Sequence, residues 1–406
     1  MSTVSPGLLR APRTVIFGPG QRATLGRQVA TLGSTALVCT DRRLAGSAEL
    51  RAMIDDLAGH GVTAAVWSET EAELPSENIT ACHDAMTGRG IDVVVGVGGG
   101  SCLDMAKAVA LLLAHGGPLE RYYGEYVVPG PVLPIVAVPT TAGTGSEATP
   151  VCVLTDARRE LKTGISSPEL IPTIAICDPE LTVSCPTALT ASAGADALSH
   201  LVESFTAVRR PASALGERRV FIGKNAISDH YARWGLQLIG TALPAAVEDP
   251  ADLAARADTM LAANAGGFAL GVAGTAAAHA LQYPLGAITH TPHGVGVGVL
   301  LPYVMRFNAP ERLAEFAEIG TLLGQTADSE RELAIKGIEA VDAILAKIGI
   351  PKTLADLGLT EDRLDYVAEQ GLVSKRLAEN NPRPLDLGAM QQIVHAAHRG
   401  DRTQPF

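Results

Sequence analysis

The sequence predicts an α/β domain built on a parallel sheet, followed by an all-helical domain. In the first half of the chain, short runs rich in β-branched residues alternate with helical stretches, a pattern typical of parallel strands joined by crossover helices. After Pro186, strand-like runs nearly vanish and helical patterns continue to the end of the chain. We therefore predict two domains, residues 1–187 and residues 188–406.

Four buried strands are expected in the first domain, each followed by a helix or a polar turn. The strands are predicted at residues 35–41, 63–69 and 92–100, and at the start of the segment 134–147. The helices that follow the first three strands are predicted at 42–61, 77–90 and 102–116. This order puts helices on both faces of one sheet.

Composition and charge limit the classes of partner. The chain has 406 residues, of which 47% are hydrophobic and only 18% are charged, which suits a globular protein of two domains. Its net charge of −11 argues against nucleic acid or an anionic membrane as the main partner. No apolar run approaches the roughly 18 residues of a membrane span, and the N-terminus has no signal-peptide pattern. Since the six cysteines form no C-x-x-C pair, we expect reduced thiols and a cytoplasmic protein.

Four polar residues in segments rich in Ala, Gly and Leu are candidate metal ligands. Asp196 and His200 stand four residues apart, so a helix would project both side chains from one face. His279 lies in an apolar helical stretch, and His293 follows a proline. Three imidazoles and one carboxylate suit a divalent ion such as Fe²⁺ or Zn²⁺, and the lack of nearby cysteines favours a catalytic Lewis acid over a structural zinc site. The alternative is that each histidine is an ordinary core residue with a hydrogen-bond partner.

A glycine-rich turn between the third strand and its helix is a candidate site for a diphosphate. The turn consists of Gly98, Gly99, Gly100 and Ser101. Glycines let the backbone approach a phosphate closely, and the amides at a helix N-terminus favour its negative charge. A tight turn without a ligand is the alternative. Asp104 and Lys107 follow on the predicted helix, and the simplest interpretation of Lys107 is a solvated charge.

A second polar turn follows the fourth strand. Its hydroxyl groups belong to Thr140, Thr141, Thr144 and Ser146. Because α/β sheets bind ligands at the carboxyl ends of their strands, the two turns together predict a nucleotide site. Asp41, after the first strand, could accept hydrogen bonds from an adenosine ribose and would repel a 2′-phosphate. Asp41 could equally be a helix N-cap.

Several motifs together resemble the iron-containing (group III) alcohol dehydrogenase family. They are GGGS with D-x-x-K, the turn PTTAGTGSE, DALSH, and the segment H-A-L-x-x-P-L-G-A-x-x-x-x-P-H-G. The resemblance covers most of the chain and implies a dinucleotide-binding domain, a helical metal domain and an active site in the cleft between them. It also implies a homodimer or a larger homo-oligomer.

The resemblance also assigns roles to individual residues. Asp196, His200, His279 and His293 correspond to the four metal ligands of the family. The diphosphate loop of the family corresponds to Gly98–Ser101, with Asp104 in the same motif. The turn that holds the diphosphate and nicotinamide corresponds to Thr140, Thr141, Thr144 and Ser146. Asp41 occupies the position associated with a preference for NAD over NADP. Lys162 and Leu181 match a segment that flanks the cofactor.

The implied activity is hydride transfer between NAD and a small primary alcohol or hydroxyacid, or its aldehyde or ketone, with Fe²⁺ or Zn²⁺ as a Lewis acid. Two departures bear on the substrate. Tyr283 stands where many relatives have a second histidine, and it would either contact substrate or only pack; His290 is a possible replacement for that imidazole. Residues 208–232 form an insertion, in which Arg218, Arg219 and Lys224 would bind a carboxylate or form a basic surface loop.

Three other functions remain open from the sequence. The insertion and Tyr283 resemble the hydroxyacid–oxoacid transhydrogenase branch, whose members retain their nicotinamide and pass hydride between two substrates. Maleylacetate reductases are related but generally lack the full ligand set. A non-enzymatic NAD-binding or sensor protein is disfavoured, because four candidate ligands and two phosphate turns are expected to converge on one cleft.

Overall fold

The computed structural model describes residues 6–158 and 161–403, which form two compact units. The α/β unit contains Arg10–Cys185 and Arg218–Val220, and the helical unit contains residues 6–9, Pro186–Glu217 and 221–403. The predicted fold class, a parallel α/β domain followed by a helical domain, is confirmed. The division next to Pro186 lies beside the boundary predicted after residue 187, which we retain as a prediction.

The α/β unit is built on a six-stranded parallel sheet and a smaller three-stranded sheet. In chain order, the strands are β1 (Thr14–Phe17), β2 (Thr35–Cys39), β3 (Thr63–Trp67), β4 (Val93–Gly98), β5 (Gly124–Glu125), β6 (Ile135–Pro139), β7 (Val151–Asp156), β8 (Leu161–Ser166) and β9 (Ile174–Cys177). The large sheet has the order β1-β9-β6-β4-β2-β3, and the small sheet has the order β5-β8-β7. All four predicted strands are present in the large sheet as β2, β3, β4 and β6.

Apolar side chains cover both faces of the large sheet. Because side chains alternate along a strand, β2 directs Ala36 and Val38 into one apolar cluster and Leu37 and Cys39 into the other. The same alternation occurs in β4, which is buried along its whole length. Burial on both faces explains why these strands are continuous apolar runs in the sequence.

The helices of the α/β unit follow the strands with one departure from expectation. They are α1 (Leu25–Val29), α2 (Arg42–Ala45), α3 (Ala48–Gly59), α4 (Ser76–Met86) and α5 (Gly100–His115). The single helix predicted at 42–61 is wrong, because the chain breaks at Gly46 and a new helix begins after Ser47. The Ser47 hydroxyl accepts a hydrogen bond from the amide of Leu50 at 3.0 Å, which caps α3.

The helical unit contains ten α-helices in the described residues. They are α6 (Thr187–Thr206), α7 (Ala226–Glu248), α8 (Leu253–Ala273), α9 (Ala277–Thr289), α10 (His293–Asn308), α11 (Leu313–Leu322), α12 (Glu330–Lys347), α13 (Leu364–Val373), α14 (Lys375–Ala378) and α15 (Leu387–Arg399). Helix α6 packs against α7, α8 and α10, and α10 also packs against α9. Helix α6 is therefore the central helix of the unit, buried over most of its length.

The insertion folds back on itself before α7 begins. Arg209 and Gly223 form an antiparallel bridge. Gly223 has a φ of +77°, and a Cβ there would lie 2.2 Å from the carbonyl oxygen of Val208, so the position requires glycine. Lys224 is buried, with Nζ 2.7 Å from the Asp229 carboxylate. The surface-loop interpretation is therefore wrong for Lys224, whose partner is a carboxylate of the same unit.

The described residues contain no single helix that could span a membrane and no disulfide bond. Within the described residues, no single helix is long and apolar enough to span a membrane, and α8 and α9 meet the criterion only as a pair bent by 103°. None of the six cysteines, all of them in the described part of the chain, forms a disulfide.

Candidate metal centre and cofactor turns

Helix α6 carries two of the four predicted metal ligands. Asp196 and His200 stand one turn apart on this helix, and both side chains are buried. The Asp196 Oδ1 atom lies 3.4 Å from Nε2 of His200. The helical spacing predicted from the sequence thus brings a carboxylate and an imidazole onto one buried face.

Helices α9 and α10 bring the other two imidazoles to the same carboxylate oxygen. His279 is in the first turn of α9, and His293 is the first residue of α10, directly after Pro292. The Nε2 atoms of His279 and His293 each lie 3.5 Å from Asp196 Oδ1. In the described residues, Asp196, His279 and His293 form the one group of three or more His, Cys, Asp or Glu ligand atoms within 4.8 Å of each other.

The separations and the unpaired atoms fit a divalent ion. Ligand atoms held at about 2.0–2.2 Å from one ion in a tetrahedron lie about 3.3–3.6 Å apart, which matches the distances from Asp196 Oδ1. Within the described part of the chain, Asp196 Oδ1 and His279 Nε2 are buried without a hydrogen-bond partner. Because a buried polar atom without a partner is costly, this pair favours a cation-binding site over an ordinary apolar core.

The electrostatics of the site depend on opposing effects. Burial by itself raises the pKa of Asp196, but His200, His293 and His279 around it hold that pKa below its usual range. Burial lowers the pKa of His279, whereas Glu203 and Asp196 raise it, with a net value of about 9. In the protein without an ion, the two carboxylates therefore favour positive charge at this position.

Glycines on α10 allow the close approach of α6. A Cβ on Gly294 would lie 2.0 Å from the Ser192 carbonyl oxygen and 3.1 Å from Cβ of Asp196. A Cβ on Gly296 would lie 1.8 Å from Oε1 of Gln282 on α9. Because Gly294 follows His293 directly, the missing side chain brings that imidazole close to Asp196.

Glu203 is a site residue that the sequence analysis missed. It lies one turn after His200 on α6, and its Oε2 is 2.6 Å from Nδ1 of His279. The i,i+3 spacing from His200 was the available signal, but many helical glutamates have such a spacing. Only the packing of α6 against the start of α9 shows the contact.

In the α/β unit, the two predicted cofactor turns are neighbours. The amide of Thr140 donates to the carbonyl of Gly98 at 2.9 Å, and a Cβ on Gly100 would lie 2.7 Å from Cγ2 of Thr144. Gly98 has a φ of +151°, and a Cβ there would lie 2.5 Å from Sγ of Cys102. The turns therefore touch at the carboxyl ends of β4 and β6, and only glycine fits at Gly98.

The first of these turns borders the point where the strand order of the sheet reverses. The chain passes from β2 outward to β3, then returns to β4 on the other side of β2. Parallel α/β sheets bind ligands at the carboxyl ends of such strands. Asp41, just after β2, caps α2 by accepting a hydrogen bond from the amide of Leu44 at 2.8 Å through Oδ1. The capping alternative is therefore present in the structure, and the ribose contact stays a prediction.

Buried charges fix the second turn against α5. Asp104 accepts hydrogen bonds from the hydroxyl of Ser146 at 2.6 Å and from the amide of Val153 at 2.9 Å. Lys107 is fully buried and donates to the carbonyls of Thr149 at 3.0 Å and Val151 at 2.7 Å. The interpretation of Lys107 as a solvated charge is therefore wrong. Both side chains hold the turn in place, and direct contact of Asp104 with a cofactor stays a prediction.

The remaining predicted residues have mixed environments. Lys162 on β8 forms an ion pair with Glu73, and Leu181 is buried in an apolar cluster of the sheet. Tyr283 is half-buried, one turn after His279, and its ring centre is 6.3 Å from that of His293. His290 is exposed at the C-terminal end of α9, with a φ of +54°.

Comparison with known proteins agrees with both halves of the chain. Residues 12–179 match the profile described as iron-containing alcohol dehydrogenase, and residues 190–398 match the profile of the C-terminal part of that family. The chain belongs to the iron-containing alcohol dehydrogenase family. It is therefore an oxidoreductase of the alcohol dehydrogenase type, and the enzyme predicted from the sequence is confirmed at that level.

Individual members of the family match over nearly their whole length. The NAD-dependent methanol dehydrogenase of Bacillus methanolicus is 30% identical over 389 residues, which cover 95% of this chain and 98% of the relative. The 1,3-propanediol dehydrogenase of Klebsiella pneumoniae is 34% identical over 377 residues, or 92% and 94% of the two chains. A crystal structure of a 1,3-propanediol oxidoreductase superposes with a TM-score of 0.90 at 32% identity, covering 96% of this chain and 99% of that one.

The glycine after His293 offers a direct test of the site geometry. Gly294→Ala should weaken the binding of Zn²⁺ or Co²⁺ to metal-free protein by about tenfold or more, since overpacking costs about 1–3 kcal/mol and would separate α10 from α6. Chelator competition measures the affinity. Gly59→Ala is the matched control, because Gly59 ends α3 and a Cβ there would meet nothing within 4 Å. Equal affinities in the two variants would contradict this account of the helix packing.

Proposed function

We propose that this enzyme is a metal-dependent, NAD-linked oxidoreductase that transfers hydride between the cofactor and a small primary alcohol or hydroxyacid, or its carbonyl product. The observation that carries the proposal is the position of Asp196 Oδ1, which lies 3.4–3.5 Å from Nε2 of His200, His279 and His293. These four residues would hold one divalent ion. Family membership favours Fe²⁺, and the three imidazoles with one carboxylate also suit Zn²⁺.

The reaction is balanced by the cofactor and solvent. In the oxidation direction, the carbinol C–H bond breaks and its electron pair passes to NAD⁺ as hydride, while the hydroxyl proton passes to water. An Fe²⁺ or Zn²⁺ ion bound at the four ligands would supply Lewis acidity toward the oxygen of the alcohol or carbonyl. The buried side chains around it would exclude water from that position.

The cofactor proposal rests on the two turns of the α/β unit. Gly98, Gly99, Gly100 and Ser101 at the start of α5 would bind the diphosphate through backbone amides. Thr140, whose buried Oγ1 has no hydrogen-bond partner in the described residues, would contact the nicotinamide half together with Thr141, Thr144 and Ser146. The NAD-dependent methanol dehydrogenase among the relatives supports the choice of NAD.

Removal of the metal tests the central proposal. A chelator should abolish alcohol-dependent reduction of NAD⁺, and Fe²⁺ or Zn²⁺ should restore it, with NADH absorbance and metal content measured together. His279→Ala and His293→Ala should lose both metal and activity. His395→Ala, which removes an imidazole on α15 beside Asp365, is the matched control and should retain both.

Two results would change the proposed function. Full activity in the metal-free protein would refute the role of the four ligands. Hydride exchange between a hydroxyacid and an oxoacid without stoichiometric release of NADH would replace the dehydrogenase proposal by the transhydrogenase function.

The preference for NAD is tested at Asp41. Asp41→Asn keeps an N-cap for α2, since Asn caps as well as Asp, but removes the charge that would repel a 2′-phosphate. The ratio of kcat/KM with NADP to that with NAD should rise on the order of tenfold, equivalent to about 1.4 kcal/mol. Steady-state kinetics with both cofactors measure the ratio. Asp55→Asn on the exposed face of α3 makes the same charge change and should leave the ratio unchanged.

Tyr283 is the residue we propose as the substrate contact beside the metal ligands. We favour it over His290 because Tyr283 is half-buried near His293, whereas His290 is exposed. Tyr283→Phe should lower kcat/KM by up to about tenfold, the worth of one hydrogen bond, without loss of metal. Tyr366→Phe on α13 is the control for loss of a phenol hydroxyl. Unchanged kinetics in Tyr283→Phe would leave Tyr283 with a packing role alone.

A further inference from the structure

We propose that Glu203 is a positioning residue, which sets the tautomer and orientation of His279 and anchors the first turn of α9. The inference rests on the proposed function, since it concerns the use of His279 as a metal ligand. Glu203 acts through His279 and is not itself placed among the ligands.

The first observation is the contact between the carboxylate and the imidazole. Oε2 of Glu203 lies 2.6 Å from Nδ1 of His279, and the two side chains are only 3% and 5% exposed. An ionised carboxylate only accepts hydrogen bonds, so Nδ1 carries the proton and donates it. In the neutral ring that a cation requires, the lone pair is then on Nε2, the atom that lies 3.5 Å from Asp196 Oδ1. This tautomer is the one that binds a cation through Nε2.

The second observation is that the same carboxylate binds the backbone at the start of α9. The amide of Ala276 donates to Oε2 at 2.9 Å, and the amide of Ala278 donates to Oε1 at 2.7 Å. Ala276 is the N-cap residue of α9 and has no side chain that could cap the helix. Glu203 therefore supplies from α6 the acceptor that a Ser or Asp would normally provide, and its charge complements the helix dipole.

The turn before α9 is also fixed from its other side. Nδ2 of Asn380 donates to the carbonyls of Ala273 at 2.9 Å and Thr275 at 3.1 Å. Gly274, between them, has a φ of +79°, and a Cβ there would lie 3.0 Å from Nδ2 of Asn380. The backbone that carries His279 is thus held by Glu203 through its amides and by Asn380 through its carbonyls.

Three donors on one carboxylate explain why an amide is a poor substitute. Glu203 accepts from Nδ1 of His279 and from the amides of Ala276 and Ala278. A glutamine has one accepting oxygen, so its NH₂ group would face at least one of these donors. If the NH₂ group faces Nδ1, the ring proton moves to Nε2 and blocks that atom for a metal.

Metal affinity distinguishes positioning from general stabilisation. Glu203→Gln and Glu203→Ala should bind Zn²⁺ about 10–100-fold more weakly than the wild-type enzyme in chelator competition, the usual effect of removing the partner of a ligating histidine. Asp252→Asn is the matched control. Asp252 caps α8 by accepting from the amide of Ala255 at 3.0 Å, so this variant changes a helix-capping carboxylate in the same unit. Its affinity should stay within about twofold of wild type.

A measurement on the wild-type enzyme tests the tautomer of His279 without depending on the folding of any variant. With ¹⁵N-labelled histidine and bound Zn²⁺, His279 should show a protonated Nδ1 with a strongly downfield proton, and an Nε2 without a proton. Wild-type affinity in both Glu203 variants, or a His279 ring protonated at Nε2, would overturn the inference while leaving the metal site in place. Absence of Zn²⁺ binding by the wild-type enzyme itself would instead refute the proposed function, and the role of Glu203 with it.

Discussion

One carboxylate oxygen organises the helical unit. Asp196 Oδ1 is buried without a hydrogen-bond partner in the described chain, yet three imidazole Nε2 atoms lie 3.4–3.5 Å from it. A buried charge is tolerated only when nearby groups compensate the loss of water, and here the surrounding imidazoles, with the cation that we propose, provide that compensation. The packing of α6, α9 and α10 brings these groups together. Position 294 requires glycine, because a side chain there would separate α10 from α6.

The backbone at the start of α9, which carries the proposed ligand His279, is held by hydrogen bonds from two other segments. His279 follows a bend of 103° between α8 and α9, where the helical hydrogen bonds are interrupted. Glu203 and Asn380 satisfy the amides and carbonyls that the bend exposes. The same carboxylate then orients the imidazole, so backbone capping and ligand orientation depend on one residue of α6.

In the α/β unit, the proposed ligand is an anion, the diphosphate of the cofactor. The two polar turns of this unit offer amides and hydroxyls at neighbouring strand ends, and the left-handed φ of Gly98 lets the first turn enter α5 without a clash. The buried Asp104 and Lys107 do not add charge at the surface of these turns. They attach the second turn to α5 and to the start of β7, so its hydroxyl groups are held in one arrangement.

The sequence by itself determined the fold class, four of the six strands of the large sheet and the residue types of both candidate sites. These depend on local patterns: alternating apolar runs, the i,i+4 spacing of Asp196 and His200, and glycines at strand ends. The break after α2, the burial of Lys107 and Lys224 and the role of Glu203 were decided only by the tertiary structure. Lys107 and Glu203 bind groups 42 and 76 residues away, and Lys224 lies over the ring of Phe205. The break after α2 follows from the cap at Ser47, which competes with helix periodicity. Glu203 contacts a histidine 76 residues away, and no spacing rule specifies which of several helical glutamates a bent helix will meet.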